Sequence, residues 1–257
     1  MTLLGIDFPP ITHVTRWPDI FFDGTPFAIN KTVLIYFAAV LITLGFFFYA
    51  ARRHELVPRG VQNMAESSID FVREGIILQT IGPEGMGYLP FLTTMFFFIF
   101  FINIFEIIPL VQFPGNARIA VPVFLAILVW FMFNIVGISK QGFGHYVKSS
   151  VVPPDVPKPI LPLLVFIEFI SVFLVRPFSL AIRLFANMLA GHLILVTFAI
   201  LSSAIFGAAV YFKIGAAFPF ALLVALTAFE ILVSALQAFI FTILTGVYIG
   251  LAMHPEH

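Results

Sequence analysis

The sequence predicts an all-α integral membrane protein, with about five membrane-embedded helices and one amphipathic surface helix. Of its 257 residues, 61% are hydrophobic and 10% are charged, and the mean hydropathy is +1.08. A soluble domain has about 45–50% apolar and about 25% charged residues, so this chain cannot cover a soluble surface with polar groups. Several stretches also reach the roughly 20 apolar residues that a helix needs to cross a hydrocarbon core of ~30 Å.

The predicted elements form a single membrane domain over residues 1–257. Residues 1–31 are an acidic, proline-broken lead-in without the basic and apolar regions of a cleaved signal. Residues 32–50 are the first span. Residues 51–88 form a polar loop in which apolar side chains recur at helical spacing, which predicts an amphipathic helix on the bilayer surface. Its apolar face holds Val61, Ala65, Ile69, Val72 and Ile76, and its polar face holds Gln62, Glu66, Asp70 and Arg73.

The middle of the chain predicts a helical hairpin over residues 89–138, in which spans 89–113 and 119–138 flank a short PGNAR turn. Residues 139–159 are rich in glycine and proline, so we expect an irregular loop outside the lipid. Lysine and arginine are concentrated in the loops 51–88 and 139–159 rather than in the hairpin turn. This bias predicts that both loops and the C-terminus are cytoplasmic and that the N-terminus is outside.

Residues 160–253 predict two long, steeply tilted helices joined as a hairpin around residues 212–217. The second of them, residues 216–253, would be about 57 Å long as one helix, nearly twice what a perpendicular crossing needs. Such excess length is usually absorbed by tilt. Pro177 marks a position where the first of the two helices is expected to bend.

The charge balance and the absence of cysteine exclude several functional classes. The 13 basic and 13 acidic residues cancel, which removes the electrostatic argument for a nucleic-acid partner. Without cysteine, disulfides, zinc–thiolate sites and iron–sulfur clusters are excluded. No GxxxxGK phosphate-binding motif occurs, so we expect neither nucleotide chemistry nor a bound cofactor.

Five ionisable residues lie within predicted membrane segments: Glu106, Glu168, Arg176, Arg183 and Glu230. A charge at mid-bilayer costs about 2.5–3.5 kcal/mol on insertion scales, so each is a candidate functional residue. Arg176 lies beside Pro177, where it could instead anchor a bend or extend to the interface. Arg183 lies in a long apolar run, so its guanidinium cannot easily reach water.

Helical periodicity divides these polar residues between faces. Arg183 shares a stripe of small and polar side chains with Arg176, Ser179, Asn187, Ala190 and Ile194. His192 falls about 180° from Arg183 at ~100° per residue. On the last helix, one face holds Thr227, Glu230, Ser234 and Gln237.

That polar face, opposed by His192, could hold a file of water and pass protons through groups that titrate near neutrality. Two simpler interpretations stay open: His192 as a hydrogen-bonded packing residue, and Glu230 as a buried, protonated structural carboxyl. Gly246 and Gly250 form a GxxxG motif, which more often indicates close helix packing than a dimer site.

The segments RPFSLAIRLFANMLAGHL and FEILVSALQAFIFTILTGVYI closely resemble the a subunit of F-type ATP synthases, the stator half of a rotary proton motor. The resemblance implies that Arg183 is the family's essential arginine, which faces the ring of c subunits. It places Asn187, His192, Glu230, Ser234 and Gln237 around the external half-channel. FFINIFEIIPL resembles an earlier polar patch, which puts Asn103 and Glu106 near the channel mouth. Glu168 and Arg176 are assigned either to a channel or to anchoring.

The implied mechanism is electrostatic, in a subunit that is not itself an enzyme. Two offset half-channels would carry protons to and from a c-subunit carboxyl, and Arg183 would prevent direct leakage between them. The implied partners are the c-subunit ring, the b subunits of the peripheral stalk, other ATP synthase subunits and the lipid bilayer. The implied location is the bacterial inner membrane, with the mitochondrial inner membrane as the alternative.

Three alternative functions predict different features or behaviour. A secondary transporter should show paired repeats and interrupted helices, neither of which is visible. A self-contained ion channel should conduct alone, and a purely structural assembly subunit should tolerate loss of Arg183. In the family that the chain resembles, the positions held here by His192 and Glu230 carry a histidine and an acid in either order, so the resemblance implies that these two side chains are in contact. The choice between proton and sodium stays open, with His192 favouring protons.

Overall fold

The computed structural model describes residues 2–3, 6–7, 19–22, 25, 28–52, 55, 57–108, 111, 113, 115–152, 156–157, 159–207 and 217–254. Eight α-helices are described: α1 Lys31–Ala51, α2 Val61–Val72, α3 Leu89–Ile104, α4 Ala120–Gln141, α5 Phe143–Val151, α6 Leu161–Ile170, α7 Arg176–Gly207 and α8 Ala217–Met253. A three-residue helical segment, Leu78–Thr80, also follows α2 after a wide turn. Two 3₁₀ turns, Pro83–Tyr88 and Gly115–Ala117, precede and follow α3.

Short strands precede α1 in the lead-in. Strand β1 (Thr2–Leu3) pairs antiparallel with β2 (Ile6–Asp7), and β3 (Asp19–Phe21) pairs antiparallel with β4 (Ile29–Asn30). The side chain of Asn30 then accepts a hydrogen bond from the backbone N–H of Val33, at 3.1 Å. This bond satisfies one of the orphan donors at the first turn of α1.

Five helical stretches among the described residues are long and apolar enough to cross a membrane, which confirms the all-α membrane class. They are Lys31–Ala51, Pro83–Ile104, Ala120–Gln141, Leu161–Ile205 and Ala217–Met253. Helix α3 ends at Ile104, nine residues before the end of the span expected at 89–113. The turn expected around residues 212–217 lies outside the described residues apart from Ala217, and the tilt of the last two helices stays a prediction.

The amphipathic segment is helical, as the pattern of apolar residues indicates. Ala65, Val72 and Ile76 are buried, whereas Glu66 and Asp70 are exposed. Gln62 differs from its place on the predicted polar face, since it is buried. Its amide donates to the carbonyl oxygen of Glu55 at 3.1 Å and to the Glu66 carboxylate at 2.8 Å, so its polar group is satisfied away from water.

The bend expected at Pro177 is accompanied by a wide π-helical turn, Ser171–Val175, directly before it. The backbone N–H of Arg176 donates to the carbonyl oxygen of Ser171, five residues back. Proline has no N–H to donate four residues back, and its ring crowds the carbonyl there. A wide turn relieves that crowding, so α6 continues into α7 without a break in the helical path.

The chain forms two compact units, each assembled from three segments. The first unit contains Met1–Ile42, Phe98–Arg118 and Phe185–Gln237. Within it, the Lys31 ammonium donates to the carbonyl oxygen of Val111 at 2.7 Å, and the Tyr36 hydroxyl donates to the carbonyl oxygen of Gly115 at 2.8 Å. An added Cβ at Gly115 would overlap Ile102 and Tyr36, so the loop after α3 fits closely against its neighbours.

The second unit contains Thr43–Phe97, Ile119–Leu184 and Ala238–His257. An added Cβ at Gly246 would overlap the Thr80 hydroxyl, and one at Gly250 would overlap the Thr80 carbonyl oxygen. The GxxxG motif is therefore used for close packing inside the chain. At the end of α8, the carbonyl oxygen of Ala252 accepts a hydrogen bond from Gln141 at 2.8 Å.

Candidate functional site

A buried acid–imidazole pair lies in the first unit. His192 Nδ1 is 3.3 Å from Glu106 Oε1, and the two residues are 5% and 3% exposed. His192 comes from the middle of α7, whereas Glu106 lies two residues beyond the end of α3. Because α3 ends early, its last turn can direct Glu106 inward rather than continue along the helix.

The partner of His192 differs from the one expected. We expected contact with Glu230, but Glu230 makes no ion pair with any described residue. The Glu230 carboxyl instead packs on Gly191, the residue before His192, so closely that a Cβ there would overlap it. The sequence pattern could not identify Glu106 as the partner, since its position depends on where α3 ends.

Three of the four residues on the predicted polar face of α8 are buried, and the fourth, Thr227, is partly exposed. Glu230, Ser234 and Gln237 are 5%, 0% and 2% exposed. Gln237 Oε1 accepts a hydrogen bond of 2.9 Å from the side-chain amide of Asn187 on α7. The spacing of three to four residues therefore places these side chains on one face, as expected, and Asn187 is brought to it.

A cavity of about 330 Å³ lies beside Glu230 in the first unit. Asn187, Gly191 and Glu230 line it together with seven apolar residues: Ala190, Ile194, Leu195, Leu226, Phe229, Val233 and Leu236. The cavity thus combines a carboxyl and a carboxamide with apolar walls, a composition common in binding pockets.

Asn103 is joined by a residue that the sequence pattern did not single out. Asn116 Nδ2 donates to Asn103 Oδ1 at 2.6 Å, and both residues are fully buried. Asn116 belongs to the PGNAR segment, which the sequence indicated only as a turn. The signal that could have identified Asn116 was its polarity inside an otherwise apolar hairpin. The signal for the close contact of Glu230 with α7 was the small residue Gly191 beside a histidine.

Several buried polar atoms of this unit have no protein hydrogen-bond partner. Among the described residues these include Oε2 of Glu106, Oε1 of Glu230 and Oγ of Ser234. Buried polar groups in folded proteins are nearly always paired with protein or water. Buried carboxyl and hydroxyl groups without a protein hydrogen-bond partner are suited to binding water and transferring protons.

The environment of Arg183 is the opposite of that of the buried polar atoms described above. It is exposed, and it makes no hydrogen bond or ion pair with any residue that the structure describes. Asn187, Ala190 and Ile194 of the predicted stripe are exposed as well, and so is Ala186 beside it. The stripe is therefore open from Arg183 to Ile194, whereas Arg176 and Ser179 at its start are partly buried. His192 is buried, in agreement with its expected place on the opposite face.

Glu168 and Arg176 lie in the second unit, where both line a separate cavity of about 190 Å³. The Arg176 guanidinium lies 5.6 Å from the centre of the Tyr248 ring. Tyr146, also in the lining, is buried and contacts Gly137, and its hydroxyl lies 3.2 Å from Asn134 Oδ1. Burial raises the pKa of the Tyr146 phenol, while a hydrogen bond with Ser150 and the charge of Arg176 oppose that change.

Comparison with known proteins places this arrangement in a family. The profile of the ATP synthase A chain family matches residues 33–250, which include all the candidate residues above. This chain belongs to the ATP synthase A chain family. The resemblance carried by the two C-terminal motifs is therefore confirmed.

Individual members of the ATP synthase A chain family are similar along most of their length. ATP synthase subunit a of Rhodococcus erythropolis is 45% identical over 241 residues, covering 93% of this chain and 88% of the relative. ATP synthase subunit a of Frankia alni is 45% identical over 255 residues, covering 96% and 86%. ATP synthase subunit a of Hyphomonas neptunium is 39% identical over 244 residues, covering 95% and 94%.

Proposed function

We propose that this chain is the proton-translocating a subunit of the membrane sector of an F-type ATP synthase. It would act with the other synthase subunits and would not itself catalyse covalent chemistry. Arg183 carries this proposal, because an exposed arginine without a partner among the described residues is costly on an apolar membrane helix, and a partner of complementary charge would remove that cost. The partner proposed is the carboxyl of a c subunit in the rotor ring.

The external half-channel is assigned to the buried polar group of the first unit. A proton would enter near Asn103 and Glu106, pass to His192, and continue past Glu230 towards Asn187. The 3.3 Å separation of Glu106 and His192 supports direct proton exchange between them. The cavity shared by Glu230 and Asn187 supports the next step.

Helix geometry supports a short final transfer. Asn187 and Arg183 are four residues apart on α7, a rise of about 6 Å, whereas His192 lies about 14 Å along the axis from Arg183. Asn187 would therefore mark the inner end of the entry path. The hydrogen bond from Asn187 to Gln237 supports this role, since it fixes an amide at that end.

Rotation follows from the cost of burying a charge. A proton that neutralises the rotor carboxyl removes most of the penalty of moving that group into lipid. After nearly a full turn, the positive charge of Arg183 would favour the carboxylate and release the proton to a second, cytoplasmic half-channel. The fixed charge of Arg183 would also repel a proton that passed straight between the half-channels.

Small exposed residues on the last two helices support close approach of the ring. Ala186 and Ala190 are exposed on α7, and Ala221, Ala225 and Ala228 form an exposed stripe on α8. Small residues at membrane interfaces let helices pack closely. The b subunits of the peripheral stalk would hold the chain in place, in an inner membrane with the loops of residues 51–88 and 139–159 in the cytoplasm.

Replacement of Arg183 tests the proposal directly. Arg183→Gln should abolish proton-driven ATP synthesis in inverted vesicles while the complex still assembles, and Arg59→Gln, in an exposed polar loop, should leave synthesis unchanged. Near-normal synthesis in Arg183→Gln would refute the role and favour a structural assembly subunit. ATP-driven pumping that required added sodium would assign the ion as sodium instead of the proton.

A further inference from the structure

Glu106, the acid of the buried pair, does not lie in a helix. Helix α3 ends at Ile104, and Glu106 follows in a turn, where its backbone N–H donates to the carbonyl oxygen of Asn103 at 3.1 Å. A residue in a loop is held less firmly than one inside a helix, because fewer regular hydrogen bonds fix its backbone. The 3.3 Å separation of Glu106 and His192 therefore depends on other contacts that the loop makes.

Asn116 holds the residue on which that turn is built. Its Nδ2 donates to Asn103 Oδ1 at 2.6 Å, and both asparagines are fully buried. Asn103 thus takes part in two hydrogen bonds: its side chain accepts from Asn116, and its backbone carbonyl oxygen accepts from Glu106. A displacement of Asn103 would move the turn that carries Glu106.

Helix α1 holds the loop of Asn116 at two further points. The Lys31 ammonium donates to the carbonyl oxygen of Val111 at 2.7 Å. The Tyr36 hydroxyl donates to the carbonyl oxygen of Gly115 at 2.8 Å, directly before Asn116. Gly115 also has no room for a Cβ, so the backbone beside Asn116 fits tightly against its neighbours.

Phe113 connects the same loop to the imidazole. It is fully buried and packs edge-on against the ring of His192, with ring centres 6.2 Å apart and planes at 73°. The loop therefore contacts His192 through Phe113 and the turn of Glu106 through Asn116 and Asn103. A loop that is bound to α1 and reaches both members of the pair is suited to fixing their separation.

Fold stability alone does not explain why two buried asparagines lie here. Asn103 Nδ2 and Asn116 Oδ1 are buried and have no protein hydrogen-bond partner among the described residues. Replacing both partners of a buried hydrogen bond by apolar groups of the same shape can be nearly neutral or stabilising. A carboxamide does not titrate near neutral pH, so the pair cannot act as a proton donor or acceptor either. What the pair does supply is a defined geometry for the turn of Glu106.

We propose that Asn116 is a positioning residue for proton transfer between Glu106 and His192. Through Asn103 it fixes the turn after α3, so that Glu106 Oε1 stays within proton-transfer distance of the imidazole. The proposal rests on the function proposed above, in which this pair belongs to the entry path. Asn116 carries no proton itself.

Replacement of Asn116 by leucine tests the proposal, because leucine has about the shape of asparagine but cannot donate to Asn103. ATP-driven proton pumping would be measured by fluorescence quenching in inverted vesicles, per amount of assembled synthase. We expect Asn116→Leu to reduce pumping by about tenfold or more, since a misplacement of about 1 Å can reduce a rate by about 10²-fold.

Gln62→Met is the matched control. Gln62 is also buried and hydrogen-bonded through its side-chain amide, but it lies in the second unit. Pumping per assembled complex should therefore stay at the wild-type rate. If Asn116→Leu does not assemble, Asn116→Ala takes its place, because alanine leaves space for a water molecule that can satisfy Asn103.

Two comparisons separate positioning from general damage. In the Glu106→Gln background, Asn116→Leu should cause no further loss, because residues that act as one unit are not additive in their effects. Asn116→Asp should recover most of the pumping that Asn116→Leu loses. An aspartic acid can donate to Asn103 through its O–H, and an aspartate can accept from the Asn103 amide after that amide turns over.

Four outcomes would overturn the proposal. They are wild-type pumping by assembled Asn116→Leu, the same fractional loss from Asn116→Leu with and without Glu106→Gln, no recovery in Asn116→Asp, and a gain from Asn116→Asp in the Glu106→Gln background. The last would show that the new carboxyl carries protons itself. Arg183→Gln separates this proposal from the proposed function: normal pumping in Arg183→Gln contradicts the function, whereas loss there with normal pumping in Asn116→Leu contradicts only the positioning role.

Discussion

Gly191 provides a test of the entry path that separates proton transport from folding. In Gly191→Ala, the new Cβ would overlap Oε1 of Glu230 and lie 2.7 Å from its Cδ, so the carboxyl must move by roughly 1 Å to restore ordinary contact. The flexible end of a side chain can make that movement. Alanine inside a helix is also favoured over glycine by about 1 kcal/mol, so α7 should not be destabilised.

The expected loss of activity follows from the displacement. A misplacement of about 1 Å at a reacting group can reduce a rate by about 10²-fold, so we expect ATP-driven proton pumping to fall by roughly 10- to 100-fold. Pumping would be measured by fluorescence quenching in inverted vesicles, with the amount of assembled complex determined in the same preparation. Gly45→Ala is the matched control, since an added Cβ on α1 meets nothing within 4 Å.

A second substitution distinguishes displacement from general damage. Glu230→Asp shortens the side chain by one methylene, and in the Gly191→Ala background it should recover part of the lost pumping by making room for the new methyl group. Pumping at the wild-type rate in Gly191→Ala would refute the placement of Glu230 on the path. Equal losses in Gly191→Ala and Gly45→Ala would show that the effect is unrelated to Glu230.

The remaining predictions concern the acid–imidazole pair and the helix packing. Glu106→Gln keeps the shape of the side chain but removes the charge beside His192, so pumping should fall by about tenfold or more while the complex assembles normally; unchanged pumping would remove Glu106 from the path. Gly250→Ala should destabilise the complex by about 1–3 kcal/mol, because its Cβ meets the backbone carbonyl of Thr80, which cannot rotate away. Thermal dissociation measured beside Gly45→Ala checks this, and an equal dissociation temperature in both would contradict it.

Hydropathy and helical periodicity predict the long helices of this chain. They did not predict α5, Phe143–Val151, because it lies within residues 139–159, which their glycine and proline content led us to expect as an irregular loop. Apolar runs of membrane length identify α1, α4 and α8 because lipid leaves no alternative to helical hydrogen bonding. Periodicity also predicts which faces of α7 and α8 carry Arg183, His192 and Glu230, since those faces depend only on residue spacing.

Tertiary contacts explain what the sequence alone did not predict. The partnership of His192 with Glu106 depends on α3 ending at Ile104, a boundary that hydropathy places too late because the next residues are also apolar. The role of Gly191 depends on a side chain 39 positions away that packs against it. The pairing of Asn116 with Asn103 depends on how the hairpin loop folds back, which no local pattern encodes.

The wide turns have a similar explanation. Ser171–Val175 reflects the backbone demands of Pro177, and the sequence indicates a bend there without specifying its form. Arg73–Ile77 is a second π-helical turn, directly after α2, and no proline accompanies it.

Cysteine cross-linking within the assembled synthase tests the central claim about Arg183 most directly. The chain has no cysteine of its own, so Ala186→Cys introduces a single thiol on the exposed stripe beside Arg183. We expect it to form a disulfide with a cysteine placed next to the carboxyl of a c subunit. Absence of that cross-link from Ala186→Cys, together with its formation from Leu41→Cys on the exposed face of α1, would contradict the account.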